Sequence, residues 1–121
     1  KLAEPDKLCV NVMGDLAFST VGLDVETAVR SKIPTMTIII NNAYMSIYDD
    51  SRFPVAMEKY NIKGLSGEFV EVARAMGAYT EQITDPAEIV NAIKRGVAAT
   101  EAGNTVVLEF ITRDEGQYSK F

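Results

Sequence analysis

Two apolar runs, each closed by a polar turn, constrain this chain more than any other feature of its sequence. The first run covers residues 8–13 and ends at Gly14-Asp15, and the second covers residues 35–40 and ends at Asn41-Asn42. The segment between them has the length and apolar spacing of a helix. A strand, a helix and a second strand in this order predict two parallel neighbours in one sheet.

The rest of the sequence continues this alternation. Predicted strands cover residues 7–13, 35–40, 78–83 and 104–111. The apolar runs of the first two predict buried strands, the second of them covered by helices on both sides. Predicted helices run from a cap at Ser19 or Thr20 up to Pro34, and over residues 67–76 and 85–100. Residues 41–65 have little periodicity and predict a long loop, with short helical turns near 43–47 and 55–60. The fold class is therefore α/β, and residues 1–121 form one domain. We expect three layers, in which helices cover both faces of a mostly parallel sheet of about four strands.

Local signals mark the ends and the inner faces of these helices. Gly77 and Gly103 are typical of helix C-termini, and Asp85-Pro86 is typical of an N-terminus. The apolar residues at helical spacing predict the side chains that point inward: Leu23, Val25, Ala28 and Val29 in the first helix, and Phe69, Val70, Val72, Ala73 and Met76 in the second.

Composition excludes several classes of function. The net charge is −5 and the basic residues are scattered, which argues against a nucleic-acid partner. No apolar run reaches the roughly 18 residues that a membrane span requires. The chain has no histidine, so Ser-His or Cys-His nucleophiles and the usual zinc sites are excluded. Its one cysteine, Cys9, fits a reducing compartment, and we expect a cytoplasmic protein.

The two strand ends carry a candidate metal site. Consecutive parallel strands bring their carboxyl ends to the same edge of a sheet, where ligands bind. Asp15 and Asn42 should therefore lie side by side. A carboxylate and an amide oxygen are hard ligands of the kind that Mg²⁺ takes, often together with phosphate oxygens. Taken alone, Asp15 is also typical of an ordinary turn, and only its pairing with Asn42 favours the metal.

The same residues resemble a known cofactor signature. The segment GDLAFSTVGLDVETAVRSKIPTMTIIINN is similar to the motif of thiamine-diphosphate-dependent enzymes, which is Gly-Asp-Gly, some two dozen residues, and then Asn-Asn. Further likeness continues through Glu68-Phe69-Val70, Gly77-Ala78, Asp85-Pro86 and Val106-Val107-Leu108-Glu109. The resemblance is to the C-terminal, diphosphate-binding domain of the family, in its acetolactate-synthase-like branch and without the domain's first elements.

The resemblance implies a set of site residues and two ligands, thiamine diphosphate and Mg²⁺. It assigns the metal to Asp15, to the side-chain oxygen of Asn42 and to the backbone carbonyl of Tyr44. It assigns no metal to Asn41, for which we expect strand-end packing or a hydrogen bond to the neighbouring loop. The implied cofactor-binding residues are Gly14, Asp15, Leu16, Ala17, Asn42, Tyr44 and Met45.

Leu16 departs from the family pattern, which has glycine at this place next to the diphosphate. Leucine would make a left-handed backbone costly, by roughly 1 kcal/mol or more, and its side chain would crowd the phosphate. The backbone N–H groups of Leu16 and Ala17 are predicted phosphate donors, because they stand near a helix start.

Two functions of different classes remain open. The first is the thiamine diphosphate- and Mg²⁺-binding portion of an enzyme that decarboxylates or ligates 2-oxo acids. No catalytic residue is predicted within the chain, because the resemblance implies an activating glutamate on another domain. The second is a stand-alone domain that keeps the fold and self-associates without cofactor. The expected partners are a second copy, as in a dimer, or the remaining domains of a longer chain. A flavodoxin-like phosphate binder ranks below both, since the first turn lacks a Gly-rich loop.

Overall fold

The computed structural model of the chain describes residues 1–45 and 51–114. Four strands form one wholly parallel sheet in the spatial order β1, β2, β4, β3. Their bounds are β1 Val10–Gly14, β2 Met36–Asn41, β3 Tyr79–Ile83 and β4 Val106–Ile111. The predicted α/β class is confirmed, and each strand begins one to three residues later than predicted.

Five helices accompany the sheet in the described part of the chain. Their bounds are α1 Asp15–Val21, α2 Asp24–Arg30, α3 Pro54–Tyr60, α4 Phe69–Ala75 and α5 Ile89–Glu101. A 3₁₀ turn, Pro86–Glu88, leads into α5, and the Asp85 carboxylate caps it by accepting the Ala87 N–H at 2.9 Å. Gly77 and Gly103 follow α4 and α5 with φ of 94° and 92°. Both glycines occupy the left-handed region that ends helices.

The connection from β1 to β2 differs from the prediction, because it is two short helices and not one. α1 begins directly at Asp15 and has no side-chain cap. Ser19 and Thr20 lie inside α1, where their hydroxyls donate to the carbonyls of Leu16 and Ala17. The break falls at Gly22, which packs so tightly that an added Cβ would lie 2.6 Å from the Phe18 ring. The predicted cap was therefore wrong, and the close packing of Phe18 against Gly22 marks the break.

Helices cover both faces of the sheet, as predicted, and each face has its own core. On one face α1, α2 and α4 bury the cluster Phe18, Val25, Ile39, Phe69, Ala73, Ala78 and Val107. On the other face α5 buries the cluster Met36, Ile38, Ile83, Ala92, Val106, Leu108 and Phe110. α5 comes closest at Gly96, where a Cβ would lie 3.0 Å from the Met36 sulfur.

Some residues predicted to be inside are exposed. β1 is an edge strand, and Val10 and Val12 are 45% and 62% exposed on it. The prediction of a buried first strand was wrong because α5 packs on β2, β3 and β4 and leaves that face of β1 open. Leu23 is exposed because it lies at the break between α1 and α2, and Val72 is on the outer face of α4.

The predicted long loop is partly ordered by backbone pairing. Residues 43–45 are not helical: Ala43 is a bend with a left-handed φ of 57°, and Tyr44 pairs antiparallel with Gly64. The Met45 N–H donates to the Lys63 carbonyl, and the Leu65 N–H donates to the Ala43 carbonyl. The predicted turn near 55–60 is α3, whereas residues 46 and 47 lie outside the described residues. None of the described helices is both long enough and apolar enough to cross a membrane.

Candidate cofactor and metal site

The parallel pairing of β1 with β2 brings the two candidate strand ends together. Gly14 lies opposite Ile40 in the ladder, so Asp15 and Asn42 follow at neighbouring positions on the carboxyl edge of the sheet. Both line one open pocket of about 390 Å³. The pocket is lined by Gly14, Asp15, Leu16, Ala17, Ile40, Asn42, Tyr44 and Met45. The structure thus gathers every residue of the predicted set in one place and adds Ile40.

Asp15 lines this pocket, and one of its two carboxylate oxygens lacks a hydrogen-bond partner in the described chain. The residue is only 3% exposed, although it stands at the first position of α1. Its Oδ1 accepts the Leu16 N–H at 2.8 Å. Its Oδ2 is buried and has no hydrogen-bond partner within residues 1–45 and 51–114. Buried polar atoms are normally paired, so this oxygen has the capacity to accept a hydrogen bond or to bind a cation.

Asn42 and Tyr44 form a tight turn on the other side of the pocket. The Asn42 Oδ1 accepts the Tyr44 N–H at 3.0 Å, which fixes the direction of the amide. A carbonyl oxygen has two lone pairs, so this oxygen can also bind a cation. The side chain of Asn42 is half-buried and that of Tyr44 is 39% exposed, so both remain accessible from the pocket.

The donor set fits a hard cation and not a transition metal. Across the described ranges, no group of three or more Cys, Asp or Glu side chains gathers in a way that could hold a metal. The pocket offers one carboxylate, one amide oxygen and backbone carbonyls. Mg²⁺ commonly binds through one or two protein carboxylates and completes its shell with water and phosphate oxygens.

Leu16 avoids the backbone strain that the sequence suggested. It lies within α1 and has helical geometry. In the described chain the non-glycine residues with positive φ are Lys32, Ala43 and Asn61. The leucine side chain does line the pocket, so its bulk and not its backbone is the difference from glycine. Its N–H donates to Asp15, so the prediction that this N–H is available for a phosphate was wrong.

Sequence reasoning missed a buried polar network beneath the site. Glu109 on β4 is fully buried, and its two oxygens accept hydrogen bonds from Asn41 Nδ2 at 2.7 Å and Gln82 Nε2 at 3.0 Å. Asn41 in turn accepts the Ala43 N–H at 2.8 Å, which confirms the predicted bond to the neighbouring loop. An acidic residue within the run Val106-Val107-Leu108-Glu109-Phe110 was the available signal, because a carboxylate is rarely buried without a partner.

We expect Asp15→Asn to stabilise the metal-free protein. The change removes the negative charge of a carboxylate whose Oδ2 is buried without a hydrogen-bond partner in the described chain. The free energy of unfolding should therefore rise by about 1 kcal/mol. Urea denaturation in EDTA measures this. Asp6→Asn changes an exposed carboxylate and should alter stability by less than about 0.5 kcal/mol. A loss of about 1 kcal/mol or more in Asp15→Asn would contradict the orphaned state of this oxygen.

The chain is similar to known proteins over most of its length. The family described as thiamine pyrophosphate enzyme, C-terminal TPP binding domain, matches residues 1–110. The acetolactate synthase large subunit of Mycobacterium tuberculosis is 30% identical over 110 residues, which are 82% of this chain and 18% of that protein. The acetolactate synthase of Bacillus subtilis is 29% identical over 102 residues, 81% of this chain and 17% of that protein.

A solved structure has the same fold. The thiamine diphosphate-dependent 4-hydroxybenzoylformate decarboxylase of Rhodococcus jostii RHA1 superposes with a TM-score of 0.79 at 23% identity, over 96% of this chain and 22% of that chain. The chain thus spans about a fifth of the length of the proteins it matches. On the match over residues 1–110, the chain belongs to the family of C-terminal thiamine-pyrophosphate-binding domains of thiamine pyrophosphate enzymes.

Proposed function

We propose that the pocket between Asp15 and Asn42 binds the diphosphate of thiamine diphosphate through Mg²⁺. The observation that carries this proposal is the buried Asp15 Oδ2, which lacks a partner among the described residues and lines the same pocket as Asn42. Asp15 Oδ2, Asn42 Oδ1 and the Tyr44 carbonyl would hold the metal. A divalent cation there offsets the buried negative charge and attracts a diphosphate that a chain of net charge −5 would otherwise repel.

The reaction class that we propose is decarboxylation or carboligation of a 2-oxo acid in a larger enzyme. Thiamine diphosphate supplies carbanion stabilisation to the enzymes that bind it. The relatives named acetolactate synthases support this class, and the shares of their length that the chain covers support a role as one part of such an enzyme. The chain's own contribution is to anchor the diphosphate and to line the cofactor pocket with Ile40, Tyr44 and Met45. We do not expect turnover by these residues alone.

Titration calorimetry tests the binding step. We expect saturable binding of thiamine diphosphate in the presence of Mg²⁺ and none in EDTA, because the metal bridges the carboxylate and the diphosphate. Asn42→Ala should weaken the affinity 10-fold or more, since it removes one metal ligand. Asn91→Ala changes an exposed amide on α5 and serves as the matched control with unchanged affinity. Folded protein that gives no heat with Mg²⁺ and cofactor would refute the proposal.

Leu16→Gly should strengthen cofactor binding several-fold. The leucine side chain occupies space in the pocket, and glycine at this position opens it to the diphosphate. The same change should lower the free energy of unfolding by about 1 kcal/mol, because glycine is a poor helix residue. Ser19→Gly, an exposed change in the same helix, measures the helix cost alone. Weaker binding in Leu16→Gly would indicate that the leucine contacts the cofactor favourably.

The open edge of the sheet favours a second candidate function, self-association. Val10 and Val12 alternate along β1, are 45% and 62% exposed, and lie on one of the two edge strands of the sheet. An exposed apolar edge strand is a template for pairing with another chain. We propose that a second copy covers this edge when no other domain does.

Light scattering over a concentration series measures this association. We expect a mass near twice the 13.2 kDa of the chain, and Val12→Lys should shift it toward a monomer, because a charge on the apolar edge opposes pairing. Val90→Lys is the control, since Val90 is 60% exposed on α5 and lies away from β1. A monomer at every concentration, or equal effects of the two variants, would refute self-association through β1.

A further inference from the structure

Glu109 is a fully buried carboxylate without a role in the site as described so far. It lies on β4 opposite Ile39 of β2 and Gln82 of β3, so it stands at the centre of the sheet. Its Oε1 accepts from Asn41 Nδ2 at 2.7 Å and its Oε2 accepts from Gln82 Nε2 at 3.0 Å. One carboxylate thus joins the side chains of the two neighbouring strands.

The carboxylate determines which way the Asn41 amide points. The Asn41 amide presents its NH₂ group to Glu109, because its Nδ2 lies 2.7 Å from Oε1 and donates to it. The amide oxygen of Asn41 is then directed away from Glu109, where it accepts the Ala43 N–H at 2.8 Å. Reversing the amide would place its oxygen against the Glu109 oxygen and its NH₂ group against the Ala43 N–H, so neither hydrogen bond could form.

Ala43 needs this support because its backbone is strained. Its φ is 57°, in the left-handed region, which costs a residue with a Cβ roughly 1 kcal/mol or more. The hydrogen bond from Asn41 holds Ala43 there, and the Thr112 N–H fixes the Asn41 carbonyl at 2.7 Å. The left-handed turn at Ala43 lies between Asn42 and Tyr44, the two residues that face Asp15 across the pocket.

We propose that Glu109 is a positioning residue for the metal and diphosphate site, acting through Asn41 and Ala43. Glu109 fixes the Asn41 amide, the amide holds the turn at Ala43, and the turn aims the Asn42 oxygen and the Tyr44 carbonyl into the pocket. This inference rests on the proposed function for the ligand. The relay, which is the series of hydrogen bonds from Glu109 through Asn41 to Ala43, is a property of the ligand-free chain.

Glu109→Met breaks the relay and Glu109→Gln preserves it. Methionine fills the same buried volume without an acceptor, so Asn41 loses its partner. Glutamine keeps an acceptor for Asn41, and the exposed Gln82 is able to rotate its amide and accept from the new NH₂ group. If Glu109 only filled the core, Glu109→Met would leave the site intact, because an apolar side chain of similar volume commonly replaces a buried charge without loss.

The first measurement is amide hydrogen exchange of Ala43 by NMR in the protein without cofactor. Glu109→Met should accelerate this exchange 10-fold or more, and Glu109→Gln should stay within about threefold of the wild type. Glu81→Met is the matched control, because Glu81 is a partly buried carboxylate on β3 that pairs with Arg95 of α5, on the other face of the sheet. Retained protection of Ala43 in folded Glu109→Met would overturn the relay.

The second measurement is calorimetric affinity for thiamine diphosphate with Mg²⁺. Glu109→Met should weaken binding 10-fold or more and Glu109→Gln should leave it within about threefold. Asn41→Ala should match Glu109→Met, and the double variant should be no weaker than either single variant, since both remove the same relay. If Glu109→Met does not fold, Glu109→Leu, which removes the same acceptor with a different apolar side chain, replaces it in both measurements.

The two measurements separate the relay from the proposed function. A wild-type protein that fails to bind cofactor refutes the proposed function, and the exchange of Ala43 still decides the relay. Lost protection of Ala43 with unchanged cofactor affinity would refute the role of Glu109 in positioning the site. Additive losses in the double variant would also refute it, because they would indicate two independent effects.

Discussion

The parallel pairing of β1 with β2 is the interaction on which the site depends. The register sets Gly14 opposite Ile40, and it thereby brings Asp15 and Asn42 to one edge although a whole helical crossover separates them in sequence. A slip of one residue would turn every side chain of a strand to the opposite face of the sheet. The same slip would move the carboxylate away from the amide, so the register determines the core and the pocket together.

The pocket contains a buried polar atom that costs the fold stability. Asp15 is nearly buried, and one of its oxygens has no partner in the described part of the chain. Such an atom lowers the stability of the ligand-free fold, and the cation that we propose would be its partner. Glu109 is the opposite case, because both of its oxygens accept hydrogen bonds from side-chain amides. One buried carboxylate is therefore poised for a ligand and the other is fully satisfied.

The sequence predicted the strands and their order well, because apolar runs and their polar ends are local features. The juxtaposition of Asp15 and Asn42 was also predictable, since a parallel sheet has only one carboxyl edge, whereas the other predicted pocket residues came from the resemblance to the cofactor signature. The helix break at Gly22 was not predictable, because it depends on the packing of Phe18 against that glycine. The exposure of Val10, Val12 and Val72 was missed for a related reason: apolar spacing shows which face is apolar but not whether another element covers it.

The sequence by itself determined the α/β alternation, the edge of the sheet that holds the site, and the identity of Asp15 and Asn42 as the polar groups there. These follow from hydrophobic periodicity and from the fixed geometry of parallel strands. Only the tertiary structure decided that Leu16 has an unstrained helical backbone, that Asp15 Oδ2 is left without a partner in the described chain, and that Glu109 reaches Asn41. The physical reason is that burial and hydrogen-bond partners depend on residues far apart in the chain, here 68 positions between Asn41 and Glu109, and no local pattern records them.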